Sequence, residues 1–163
     1  MSLRFPYLLP NPPSITGATV SNPASGSAFL RPLVPVAIIG QVTRRRFPRA
    51  LLDTGSEDTI FPAPIATMIG AQLYRRGSQK SVVRWRGTTY PLRFGNIHLE
   101  LTDGTTSWNW PAEVGFSDAP LPYVILGNNG CLEFFDVTFF GESREVELKI
   151  NSAYVGIDNS DTL

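Results

Sequence analysis

The sequence predicts an all-β domain with many turns. Three observations carry that expectation. Aromatic residues are abundant, with ten Phe, five Tyr and three Trp. Fourteen Gly and 14 Pro punctuate the chain at short intervals. Between them, short apolar runs and strictly alternating segments recur, the signature of strands and not of helices. With only 17% charged residues, the profile disfavours coiled coils and helical bundles. A chain of 163 residues matches one ordinary domain with a sizeable core.

The elements follow in order. Residues 1–28 are rich in Pro, Ser, Gly and Asn, with apolar islands at Phe5–Leu9 and Ile15. They read as an extended arm, part strand and part loop. Leu33–Gly40 is rich in Val and Ile and predicts a strand. A turn at Arg44–Arg46 and a returning strand over Phe47–Asp53 are expected next. Thr59–Phe61 is short and apolar. Pro64–Ile69 predicts a short helix, with Pro early and Gly70 where a C-terminal glycine belongs. Ser81–Phe94 reads as a hairpin turning near Arg86-Gly87-Thr88. Ile97, Leu99 and Leu101 alternate with His98, Glu100 and Thr102, a half-buried strand. Asp103-Gly104 is a hairpin turn into Thr105–Trp110. Tyr123–Leu126 predicts a short buried strand. Val137–Phe140, a turn at Gly141–Ser143 and the alternation of Val146, Leu148 and Ile150 close the domain, which spans 29–150. Residues 151–163 are polar and read as a frayed tail.

Charge and cysteine content narrow the function classes. The formal net charge is zero, yet the chain is +9 up to Gly95 and −9 beyond it. In a small β domain the two halves interleave, so this asymmetry is expected to disperse over the surface, although it also suits dimeric association. Arg44-Arg45-Arg46 is the one basic run, so nucleic-acid binding has little support. A single cysteine, Cys131, excludes an intramolecular disulfide framework and a Cys-rich metal site. The apolar run from Phe29 to Gly40 is broken by Arg31, Pro32 and Pro35 and is too short to cross a bilayer. No membrane association and a cytoplasmic location are the expectations.

The chemistry centres on Ala50-Leu51-Leu52-Asp53-Thr54-Gly55-Ser56. A carboxylate follows directly on an apolar strand, and a glycine two residues later permits close backbone approach. By itself an Asp-Thr-Gly triplet is an ordinary turn. A second mark, Ile125-Leu126-Gly127, precedes Asn128–Phe135. With both marks in this order and a hairpin between them, the chain over residues 30–150 resembles the retropepsin-like aspartic peptidases. Its closing segment, Val124–Ile150, also resembles that of a pepsin lobe.

The resemblance implies an all-β, retropepsin-like acid protease barrel with one or two short helices. It implies a peptide-hydrolysing site built on two aspartates that share one proton, because like charges about 3 Å apart cannot both ionise. The chain carries one such triplet; Asp103-Gly104-Thr105 has a different order. The implied enzyme is therefore a homodimer with one Asp53 from each copy. Thr54 would lock the two loops across the two-fold axis, Gly55 would let substrate backbone lie close, and Ser56 would donate its hydroxyl to Asp53, favouring an acid optimum. Trp85, Arg86, Gly87 and Thr88 would form the tip of a flap closing over an extended peptide, with Tyr90 nearby. Bulky apolar residues are expected at the cleaved bond. No metal and no organic cofactor is implied. Family members often carry Arg after the second glycine, tying an acid near the first motif; here that position is Asn128.

Other readings stand beside this one. A catalytically silent dimerisation or peptide-binding module is the alternative, and a self-processing enzyme cutting its own arm is a third. His98 faces solvent on its strand without a nucleophile partner. Cys131 reads as a packed small hydrophobe. Trp108, Trp110, Phe116 and Tyr123 are expected to serve mostly in packing.

Overall fold

Alternation of apolar and polar residues shapes the longest strands and closes them into a barrel. In the computed structural model, which describes residues 1–9, 29–77 and 81–158, the strands are β1 (Ser2–Pro6), β2 (Leu33–Ile39), β3 (Arg44–Leu52) and β4 (Ile60–Pro62). After helix α1 (Ala63–Ile69) come β5 (Val82–Trp85), β6 (Thr88–Pro91), β7 (Arg93–Thr102) and β8 (Ser107–Ser117). The last are β9 (Val124–Leu126), β10 (Phe135–Phe140), β11 (Glu145–Ile150) and β12 (Ile157–Asp158). The protein is thus mostly β, as the sequence predicts.

Six strands form the barrel in the order β8-β4-β9-β3-β2-β7, and β7 pairs back onto β8 to close it. Strand β9 is inserted between β3, to which it is parallel, and β4, to which it is antiparallel. This insertion brings the chain after β3 over the end of β9. A second, three-stranded sheet, β1-β11-β10, covers the core with Leu3, Phe5, Val146 and Leu148. Between the layers Trp108 stacks on Phe135 at 5.5 Å and Trp110 meets the same ring edge-on at 5.0 Å. Both tryptophans are fully buried. At about 25 cal/mol per Å², burying such a side chain contributes on the order of 5 kcal/mol before ordering costs.

Helix α1 follows its sequence signals. Pro64 sits in the first turn, and Gly70 ends the helix in the left-handed region at φ 73°. Ile65, Ala66 and Ile69 face the core. The second helical element is one 3₁₀ turn, Leu132–Phe134, within the expected Asn128–Phe135 span.

Several expectations are corrected. The β2–β3 turn lies at residues 40–43, with the Gly40 N–H donating to Thr43 O at 3.1 Å. A Cβ on Gly40 would collide with the Ile69 carbonyl oxygen, so the turn is fixed by contact with the end of α1. Arg44, Arg45 and Arg46 consequently lie in β3, opposite Ile39, Ile38 and Ala37. Residues 151–158 do not fray: Tyr154 packs on Trp110 and Phe135, and β12 pairs with β8 at Asn109 and Trp108. Of the arm, residues 2–6 pair with β11, and Leu8 bridges to Arg31. Residues 10–28 and 159–163 lie outside the described residues.

The charge asymmetry is partly resolved by topology. Arg4 pairs with Glu147 at 3.1 Å, Arg44 with Glu100, and Arg76 with Glu113, each a cation of the first half and an acid of the second.

Candidate active site

The apolar run of β3 ends in buried Leu52, and Asp53 emerges half-buried from the barrel. The Asp53 N–H donates to Leu126 O at 3.0 Å, continuing the β3–β9 ladder by one bond. The chain then turns at once. The Ser56 N–H donates to Asp53 O at 3.1 Å, and the Gly55 N–H donates to Asp53 Oδ1 at 3.0 Å. One carboxylate oxygen is thereby held by the backbone, beside exposed Thr54 and Gly55.

The two sequence marks meet in space. Gly127 N–H donates to the Thr59 hydroxyl at 3.1 Å, Asn128 N–H to Ser56 O at 3.0 Å and Asn129 N–H to Glu57 O at 2.8 Å. Thr59 N–H returns a bond to Asn129 O at 3.1 Å. Segment 53–59 is thus stitched across segment 126–129 by main-chain bonds. Gly127 is required by closeness: a Cβ there would collide with Asp58 O and lie 2.6 Å from its carbonyl carbon. Ile125 and Leu126 are buried in β9 below it.

The Ser56 hydroxyl is used differently from the expectation. It donates to Asp58 O at 2.7 Å, and its one hydrogen is then spent within the loop. The cation expected after the second glycine comes from elsewhere. Arg76 donates to Asp58 Oδ1 at 2.8 Å and to Glu113 Oε1 at 2.7 Å, and lies 3.8 Å over the Phe94 ring. The Asn129 side-chain amide also donates to Asp58 Oδ1, at 3.2 Å. The Tyr74 hydroxyl donates to Glu113, and burial, then this bond to a carboxylate, push the phenol up to about 12. Arg76 was invisible to motif reading because it lies 18 residues from Asp58 and 37 from Glu113. Only the topology joins them.

Strands β5 and β6 form a two-stranded sheet of their own. Arg86 (φ 48°) and Gly87 (φ 82°) are its two turn residues, both in the left-handed region that a tight two-residue hairpin needs. Val83, Trp85, Thr88 and Tyr90 share one face, through the pairs Val83↔Tyr90 and Trp85↔Thr88. That face overhangs a cleft of about 550 Å³ lined by Arg31, Trp85, Arg86, Thr88, Tyr90, Pro120, Pro122 and Tyr123. Val83 also packs against an apolar cluster containing Ile60, Leu92, Phe94 and Ile125. Arg31 of the cleft wall directly precedes the β2–β3 pairing, in which Leu33 pairs with Leu51 and Leu52 N–H donates to Pro32 O at 3.1 Å. Asp53 itself is not among the residues that line the cleft.

The remaining candidates stay structural. Exposed His98 shares a 3.0 Å hydrogen bond with Asn109. Cys131 is fully buried, and burial pushes its thiol far above the usual range. Trp108, Trp110 and Phe116 belong to the core. Among the described residues no group of three or more His, Cys, Asp or Glu side chains could hold a metal ion, and no helix is long and apolar enough to cross a membrane.

Such a site places one half-buried carboxylate beside the exposed main chain of Thr54 and Gly55. A carboxylate so placed can take a proton from, or return one to, a molecule brought against it. Comparison of the sequence with models of known protein families and with curated proteins gives no match.

Proposed function

We propose that this chain is an aspartic endopeptidase of the retropepsin type, active as a homodimer in which each copy contributes Asp53. The observation that carries the reading is the stitching of the Asp53-Thr54-Gly55-Ser56 loop onto Leu126–Asn129. It holds a half-buried carboxylate in place with main-chain bonds, a rigidity that an ordinary surface turn does not need. The barrel would then be the retropepsin-like one and the β5–β6 hairpin its flap.

In this reading two Asp53 carboxylates face each other across a two-fold axis and share one proton. The ionised member takes a proton from a water, whose oxygen attacks the scissile carbonyl carbon. The protonated member donates to the carbonyl oxygen. Collapse of the tetrahedral intermediate breaks the C–N bond, and the proton taken from water passes to the leaving nitrogen. Exposed Thr54 meets its counterpart, and Gly55 leaves room for substrate main chain. Among the described residues the β5–β6 sheet has no third strand, so its edges offer N–H and C=O groups to an extended peptide.

The test is cleavage of a denatured protein between about pH 3 and 7, comparing wild type with Asp53→Asn, with and without pepstatin. The reading expects cleavage that pepstatin blocks and that Asp53→Asn abolishes. Undiminished cleavage by the variant overturns it. A dimeric wild type silent at every pH favours the peptide-binding module instead.

A further inference from the structure

We propose that the cleft under the β5–β6 hairpin selects peptides in which an acidic side chain neighbours a bulky apolar one, with Arg31 and Arg86 receiving the carboxylate. The binding part stands on the cleft's own chemistry; that the bound peptide is also cut rests on the peptidase reading above.

The apolar half of the site is given by its walls. Trp85, Tyr90 and Tyr123 are half-buried, and Pro120 and Pro122 complete the surface. Partly exposed aromatic rings around one cleft gain most when an apolar side chain displaces their water. A volume of about 550 Å³ falls within the usual range of ligand sites.

The acidic half is given by two guanidinium groups that have no ion-pair partner among the described residues. Arg31 and Arg86 are both exposed and both line the cleft, and no Asp or Glu lines it with them. Among the described residues, the ion pairs use Arg4, Arg44, Arg76 and Lys149, never Arg31 or Arg86. Guanidinium groups stay charged at any working pH and bind carboxylates through paired N–H donors.

Arg86 adds a conformational argument. It occupies the first position of a turn that requires φ above zero, where Asn, Asp or Gly is the unstrained choice. The chain holds an arginine there despite the strain, at the tip of the hairpin and 5.6 Å over the Trp85 ring. Strain kept at a cleft points to a use for that side chain. Arg31 lines the same cleft, just before the Leu33–Leu51 pair near the end of β3.

The experiment uses full-length Asp53→Asn, which cannot turn over, and two fluorescein-labelled octapeptides that differ only in Phe-Glu against Phe-Gln. Fluorescence anisotropy at low salt is expected to give about tenfold tighter binding of the Glu peptide, the worth of one charged hydrogen-bonded contact. Adding Arg31→Gln and Arg86→Asn together should remove the preference, so that the Glu and Gln peptides bind with equal affinity. Asn suits the left-handed turn position, and circular dichroism verifies that the variant folds. Equal binding of the two peptides by the parent, a preference that survives both substitutions, or no binding of either peptide overturns the proposal. Wild-type cleavage of the same peptides separates the two claims. Preference without cleavage refutes the peptidase reading alone, and cleavage indifferent to Glu refutes the acidic preference alone.

Discussion

Replacing Gly127 by Ala should damage the stitched loop directly. Gly127 is not in the left-handed region, so the effect is one of space and not of backbone strain. The added Cβ would overlap Asp58 O, lie 2.6 Å from the Asp58 carbonyl carbon and lie 2.9 Å from Ser56 O. All three are main-chain atoms and cannot rotate away. Reaching an ordinary carbon–carbon separation requires the 53–59 segment to withdraw by about 1 Å. That movement stretches the bonds from Asn128 N–H to Ser56 O and from Asn129 N–H to Glu57 O. At about 1 kcal/mol for each bond weakened and 1–3 kcal/mol for overpacking, the loss is about 3–5 kcal/mol. For a domain of this size the midpoint of thermal unfolding should fall by about 6–20 °C. Gly115→Ala is the matched control. The three atoms nearest its Cβ all belong to the Leu92 side chain, the closest being Cδ1 at 2.6 Å, and a side chain, unlike main chain, can change rotamer, at a cost of about 1–1.5 kcal/mol. Thermal melts followed by circular dichroism check both. A Gly127→Ala midpoint within about 2 °C of wild type, or a larger loss in Gly115→Ala, would refute the reasoning.

Three further outcomes are expected. Arg76→Met strips Asp58 and Glu113 of their shared cation and should cost about 2 kcal/mol, discounted for the partial exposure of the site; chemical denaturation should show part of this recovered in Arg76→Met with Asp58→Asn. Tyr74 carries its proton more tightly when folded, with its phenol pushed up to about 12, so its stabilising contribution is complete below about pH 10 and is lost as pH rises toward that value. Denaturation at alkaline pH should show a shallower loss in Tyr74→Phe than in wild type. Cys131, fully buried with its thiol kept protonated, should resist a thiol reagent in the native protein and react fully in denaturant; rapid labelling of the native protein would contradict the packing described.

Much of the fold is legible because local chemistry and final structure agree. Ile97, Leu99 and Leu101 point inward on β7 as their alternation requires. Pro64 and Gly70 bound α1, and Arg86-Gly87 forms the hairpin turn. What sequence reading misses depends on distant partners. The Arg44–Arg46 run resembles a turn in composition, but contact of Gly40 with Ile69 moves the turn upstream. Residues 151–158 look polar, yet Tyr154 finds Trp110 and Phe135 only once β8 and β10 are in place. At the candidate site the two motifs are legible, while their meeting in space, the Arg76 contacts and the spending of the Ser56 hydroxyl on Asp58 O are set by topology and loop geometry.

The most direct test of the central claim mixes wild type with Asp53→Asn at constant total chain concentration, under conditions that let subunits exchange, and follows peptide cleavage. If two copies of Asp53 make one site, only wild-type pairs are active, and an equal mixture should retain about one quarter of the wild-type rate. A retained rate of about one half would mean that each chain acts alone, and the two-chain account of Asp53 would be wrong.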